Sequence, residues 1–391
     1  MHGAPLQVKT GLTNPSVVQV NYAFDKGLTD PDALLDRYAT LTGWSEAVAA
    51  AGARRSAVVQ RFHRRARLSR NGVDYVFVDG GVSRAVAALE PDVAHVNGLA
   101  FAARTWLLRR SLPPSTALVV QNHSDTGPMG RAPMLRLLGR ATRSVVDAFL
   151  FAADEHVVRW RSAGFISPRQ RTYQVMESST RIEPIDRAQA RAASGIEGAP
   201  AVLWVGRLNA NKDPLTVLDA FESALAPLPN ATLTMVFGTS EMIDDVRARI
   251  DRSPVVRDRV RLAGGVAHGA MAAYFSAADL FVVGSHHEGS GYALMEALAC
   301  GATPVVTDIP TFRLLTGAGT VGRLWTPGDA GGCGRAIVDA SQRVSDVHRA
   351  RVREHFTHNF SWRAIGRRAL EIYREIWHAC RTNDGIERSG R

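Results

Sequence analysis

An α/β fold of two doubly wound, Rossmann-like domains facing a central cleft is what this sequence predicts, and three observations carry the prediction. Short apolar runs alternate with amphipathic stretches along the chain, the mark of parallel sheets flanked by helices. The series of runs pauses near residue 185 and restarts at Ala201. The length of 391 residues exceeds the roughly 250–300 residues that one hydrophobic core organises.

In the first half, SVVQVNYAF, YVFVDG, VAHVNG, ALVVQNH and AFLFAAD read as strands ending in polar or glycine residues. Helix-like segments such as Asp32 to Ala50 follow them. From Ala201 the strands are AVLWVGRL, ATLTMVFG, VRLAGGV, DLFVVGS, TPVVTD and GRLW. DRAQARAASGIEGAP, Asp186 to Pro200, is small and polar with a Gly and Pro finish, which reads as a linker. The expected organisation is a first domain over 1–185, a linker over 186–200 and a second domain over 201–360. A C-terminal helix over 361–380 then crosses back toward the first domain, and 381–391 is a loose tail. Doubly wound sheets bind ligands at the carboxyl ends of their strands, so the site belongs in the cleft.

Composition narrows the function. No run approaches the ~20 apolar residues of a spanning helix, and MHGAPLQVKTG lacks the profile of a secretion signal, so a cytoplasmic protein is expected. The three cysteines, Cys300, Cys333 and Cys380, are far apart and without metal-type spacing, so they read as buried thiols of a reducing compartment. The net charge is +10, and residues 1–190 hold 24 Lys+Arg against 16 Asp+Glu, which is +8. Such a face suits an anionic membrane or an acidic substrate, and equally a solvated surface.

Chemistry concentrates in SHHEGSGYALMEALACGATPVVTD, Ser285 to Asp308. ADLFVVGS before it is a continuous apolar strand and YALMEALAC is a helix, so Glu288, Gly289, Ser290 and Gly291 form the turn between them. A helix start offers unpaired N–H groups and about half a positive charge, and glycines let an anion approach. Glu288 then faces what the phosphate carries, and Glu296 lies roughly 7–8 Å along the helix, able to accept from ribose hydroxyls. The competing reading has Glu288 capping the turn and Glu296 pairing with an arginine. In WVGRLNANKDPLTVLDAF, Arg207 and Lys212 bracket a loop after a strand, and Asp213 with Pro214 opens a helix. Two cations at that place suit a polyphosphate.

GRLNANK, VRLAGGV, the stretch around Glu288 and Glu296, and FSWRAI together resemble the retaining, nucleotide-sugar-dependent glycosyltransferases of family 4, whose fold is GT-B. The resemblance covers most of Ala201 to Trp377; over the first half it is only architectural. It implies that Arg207 and Lys212 neutralise the donor diphosphate in place of a metal, so that no cofactor is needed. Glu288 would hold the donor sugar, with Gly289, Ser290, Gly291 and Tyr292 offering donors to phosphate and sugar. Glu296 would bind the ribose, and Gly264, Gly265 and Val266 would line the base pocket. His123, ending VVQNH, would face the donor sugar; a satisfied strand-end histidine is the other reading. The chain departs from the family where NYAFDKGLTDPD supplies only Gly27 in place of a glycine pair, and at Asp213 and Tyr292.

The implied enzyme is a hexosyltransferase using a UDP- or GDP-sugar, with a glycan, lipid or small molecule as acceptor. A sugar-nucleotide epimerase and a non-catalytic binding protein are the rivals. The first needs acid and base carboxylates from both domains, and the second should lack Glu288, Arg207 or Lys212. Arg131 to Phe151 interleaves Arg131, Arg136, Arg140 and Arg143 with leucines; it reads as a helix for an anionic bilayer or for the core. Nucleic acid is not expected, since no stacking aromatics accompany these arginines.

Overall fold

The computed structural model describes residues 14–123, 127, 132–143 and 145–389, with side chains for all of these but 39, 40, 132, 135 and 383–389. The first sheet comprises β1 (Ser16–Asn21), β2 (Arg55–Arg61), β3 (Ala66–Arg70), β4 (Val73–Val78), β5 (Val93–Asn97), β6 (Ala117–Gln121), β7 (Ala148–Phe151) and β8 (Arg171–Gln174). Its order is β3-β4-β2-β1-β5-β6-β7-β8, parallel throughout except for the β3–β4 hairpin. The second comprises β9 (Ala201–Gly206), β10 (Thr232–Phe237), β11 (Val260–Gly264), β12 (Leu280–Val283), β13 (Thr303–Thr307) and β14 (Arg323–Trp325), in the order β11-β10-β9-β12-β13-β14. Every pairing there is parallel. The winding reverses between β1 and β5 in one sheet and between β9 and β12 in the other, and a doubly wound sheet takes its ligand at that reversal.

The expected strands all form, because continuous runs such as LFVV in β12 and AFLF in β7 are buried along their length, as strands covered on both faces must be. β2, β3 and β8 are additions to the expected set. Arginines at both ends of RSAVVQR hide the buried stretch of β2. The β3–β4 hairpin is announced by Asn71 and Gly72, both at positive φ (51° and 76°), the pair that a tight hairpin turn favours.

Two boundaries differ from expectation. Residues 186–200 are not a linker: Arg187–Ser194 is a helix, with the Asp186 side chain accepting from Gln189 N and Gly195 closing it at φ 63°. Alanine, arginine and glutamine, small and polar though they are, are helix formers. Arg187 and Arg191 both pair with Asp279, whose carboxylate also accepts from Ala201 N at 2.8 Å. That helix is thereby fixed to the second domain, and the crossing chain lies just before it. The second difference is the tail, since the last helix runs from Trp362 to Ser389 through most of 381–391.

This last helix returns to the first domain and lies across the helix Ala39–Ala50. Glycine permits the contact on both sides: a Cβ on Gly366 would fall 2.2 Å from Ala47 O, and one on Gly43 would meet the Trp362 ring. Trp44 Nε1 donates to the Tyr373 hydroxyl at 3.0 Å, which lies 2.6 Å from His95 Nδ1. Burial pushes the His95 pKa down to about 3, so its ring is neutral and Nδ1 accepts from the tyrosine.

Candidate functional site

The loops after β9 and β12, on either side of the reversal in the second sheet, are sewn together. His286 N donates to Asn211 O at 2.9 Å, His287 N to Asn211 Oδ1 at 3.1 Å, and Asn211 Nδ2 to His287 O at 3.1 Å. Gly284 allows the approach, because a Cβ there would lie 3.1 Å from Asp213 O and 3.3 Å from Lys212 O. The stitching brings Lys212 Nζ onto Glu288 Oε1, which also accepts from Ser285 Oγ at 2.8 Å. Arg207 stands exposed on the same loop and makes no ion pair among the described residues. Asp213 sits at φ 45°, a conformation natural to glycine, and its carboxylate caps the helix Pro214–Leu225 through Thr216 N and meets His286 Nε2 at 3.2 Å.

Gly289, Ser290 and Gly291 form the turn into the helix Tyr292–Cys300. Gly291 is its N-cap at φ 65°, and a Cβ there would lie 2.9 Å from Leu315 Cδ1. A glycine cap brings no side chain to the first-turn N–H groups, so they stay open to an anion. Tyr292 is exposed at 43 %. Glu296 is mostly buried and has no ion pair among the described residues, which removes the arginine-paired alternative; burial alone raises its pKa to about 7.

The sequence reading missed Glu177. This carboxylate, 5 % exposed, lies in the chain that crosses between domains. One oxygen lies 2.5 Å from His123 Nδ1 and the other accepts from Ser290 Oγ. One carboxylate thus joins a first-domain histidine to the turn of the second domain. A lone glutamate between Met176 and paired serines directly after β8 was its only signal in the sequence. His123 Nε2 also lies 3.3 Å from Asn97 Oδ1, so His123 is partnered at both nitrogens and yet lines the cleft. It shares a cavity of 680 Å³ with Glu177, Ser290, Tyr292 and the ends of the first-domain strands.

Gly264, at φ 68°, ends edge strand β11, and Gly265 and Val266 follow it. A Cβ on Gly265 would lie 3.9 Å from Phe237 O at the end of β10. No described contact joins these three to the Lys212–Glu288 pair. The basic stretch forms the helix Ala132–Arg143, with Met134 and Leu137 exposed at 49 % and 69 % beside exposed Arg136, Arg140 and Arg143. Arg131 lies outside the described residues. No helix among the described residues is long and apolar enough to cross a membrane, and no cluster of metal-ligating side chains occurs among them.

Residues 186–348 match the family model described as glycosyl transferases group 1. Over 208 residues, 48% of this chain and 47% of the relative, the chain is 32% identical to a D-inositol 3-phosphate glycosyltransferase of Kineococcus radiotolerans. Over 233 residues, 58% of this chain and 59% of the relative, it is 26% identical to a GDP-mannose:cellobiosyl-diphosphopolyprenol alpha-mannosyltransferase of Xanthomonas campestris. The chain therefore spans about half the length of these curated relatives. Among solved structures, HepE of Anabaena in complex with UDP superposes with a TM-score of 0.67 at 16% identity, covering 91% of this chain and 99% of that one. Sucrose-phosphate synthase of Thermosynechococcus elongatus gives 0.62 at 18%, covering 93% and 100%. The fold is the two-domain GT-B architecture.

Proposed function

We propose, from the match of residues 186–348 to the glycosyl transferases group 1, that the chain is a retaining hexosyltransferase. It would move a sugar from a nucleoside diphosphate to an acceptor hydroxyl without a metal ion. The observation that carries this reading is the Lys212–Glu288 pair beside Arg207, which has no ion pair among the described residues, and the glycine-capped helix start. Cations and open N–H groups suit a diphosphate, while the carboxylate suits sugar hydroxyls.

In the reaction the bond from the anomeric carbon to the phosphate oxygen breaks, and its electron pair stays on the diphosphate. Arg207, Lys212 and the helix start stabilise that charge. The acceptor oxygen bonds to the anomeric carbon on the same face, and its proton passes to a phosphate oxygen. Closure of the cleft, which the Ser290–Glu177–His123 chain spans, excludes the water that would hydrolyse the donor. Gly264 to Val266 are assigned to the base and Glu296 to the ribose. A UDP- or GDP-sugar is favoured, in keeping with the UDP complex of HepE and the GDP-mannose name of the Xanthomonas relative. Three unbridged cysteines fit the cytoplasm, and the Ala132–Arg143 helix is assigned to contact with an anionic bilayer.

The test is thermal stabilisation by UDP, GDP, ADP and TDP with Mg²⁺ or with chelator, followed by turnover of the matching sugar donors. One nucleotide should stabilise the protein without metal, and Arg207→Ala should abolish the shift. Glu288→Gln should cut acceptor-dependent turnover by roughly 100- to 1,000-fold. Glu177 gives the epimerase alternative a carboxylate near the first domain; conversion of the nucleotide sugar into its epimer without any acceptor would favour it. Failure of every nucleotide to bind would reject both.

A further inference from the structure

One residue near the carboxyl end of each of four neighbouring strands is a carboxamide: Gln60 of β2, Asn21 of β1, Asn97 of β5 and Gln121 of β6. Strand register sets Asn21 opposite Gln60 and Asn97 opposite Gln121. Asn97 Nδ2 donates to Asn21 Oδ1 at 2.5 Å, which closes the middle of the row. The row crosses the winding reversal of the first sheet and lines the 680 Å³ cavity. From this row we infer that the cavity seats an uncharged, polyhydroxylated acceptor, a substrate class that rests on the transfer reaction proposed above.

Two donors in the row are unspent. Asn21 and Gln121 are 6 % and 1 % exposed, yet among the described residues Asn21 Nδ2 and Gln121 Nε2 have no hydrogen-bond partner, although the Gln121 side chain also meets His95. A buried N–H without an acceptor is destabilising, so such groups mark a place where something else supplies the oxygen. A hydroxyl both donates and accepts, and so does a carboxamide, which makes the row a match for a ring bearing several hydroxyls. Phe24, Tyr38, Trp44 and Phe101 add apolar walls for its C–H faces. The volume lies within the roughly 300–1,000 Å³ of small-molecule pockets.

Charge decides against a phosphorylated acceptor. Among the described residues, exposed Lys26 is the one lysine or arginine that lines the cavity, and His123, which also lines it, is held by Glu177. A phosphate is matched by arginine forks. The nearby arginines are spent elsewhere: Arg61 sits 5.0 Å over Phe24 and Arg104 5.4 Å over Tyr22, and both line a separate cavity.

The test is ligand-observed NMR and calorimetry on the full chain with myo-inositol, glucose and cellobiose, against glucose 6-phosphate and inositol 1-phosphate. Each probe is measured with and without the nucleoside diphosphate that binds. Asn21→Leu and Gln121→Leu remove the unspent donors at similar volume and should leave nucleotide affinity unchanged, although Asn21→Leu also takes the acceptor from Asn97 Nδ2. An uncharged polyol should bind the wild type, and each leucine variant should weaken it tenfold or more. Tenfold tighter binding of the phosphorylated probes, or equal polyol binding by variants and wild type, would overturn the inference. Absence of polyol binding where the nucleotide binds would also overturn it while leaving the donor reading intact. Polyol binding without any nucleotide binding would instead sink the transferase reading alone. If a leucine variant failed to fold, the comparison of charged with uncharged probes on the wild type would still decide.

Discussion

Glu296 shows how a single position combines cost and use. Its carboxyl is raised from 4.5 to about 7 by burial alone. Between these two values the folded chain holds a proton that the unfolded chain has lost. Stability from this group therefore falls as pH rises through that window and is lowest above it. Glu296→Gln removes the effect, so its advantage in unfolding free energy should grow from pH 4.5 to 7, up to an order of 3 kcal/mol at about 1.4 kcal/mol per pH unit. The same variant should bind the nucleotide sugar about tenfold more weakly, having lost an ionised acceptor for two hydroxyls. Urea unfolding at acid and neutral pH, with and without the donor, checks both. A variant neither more stable at neutral pH nor weaker in binding would show that Glu296 carries no functional charge.

The loops and helices of the site are fixed by contacts that local sequence announces only in part. The turn at Gly291 is legible because a strand, a glycine pair and a helix follow one another. Gly284 and Asn211 are not: their purpose appears only when the loops after β9 and β12 lie side by side. The Ala132–Arg143 helix makes its own prediction. Exposed Met134 and Leu137 beside three exposed arginines match a helix that lies on an anionic bilayer. The protein should sediment with vesicles rich in anionic lipid at low salt and be released at high salt. Arg140→Glu should weaken binding about fivefold or more, at ~1 kcal/mol per basic residue. Equal sedimentation with neutral vesicles would rule out this role for the helix.

Across the whole molecule the two domains are tied by side chains very far apart in sequence. The Tyr373 hydroxyl accepts from Trp44 and donates to His95. Tyr373→Phe leaves both buried groups without a partner and should cost about 1–3 kcal/mol, read as a lowered urea midpoint. An unchanged midpoint would mean that this junction adds nothing to stability. Glu177 is the counterpart at the cleft, joining His123 to Ser290 from the crossing chain.

The fold class, most of the buried strands along the chain and the strand–turn–helix that carries Glu288 and Glu296 are legible in the sequence alone. These are written in short-range signals: apolar runs, cap residues and glycines within a few positions of one another. Only tertiary contacts show that the helix Arg187–Ser194 belongs with the second domain, that Glu177 reaches the cleft, and that four carboxamides form a row. Each of these depends on Asp279, Ser290 or a neighbouring strand brought close by long-range parallel pairing, and no local spacing in the chain encodes which distant partner arrives there.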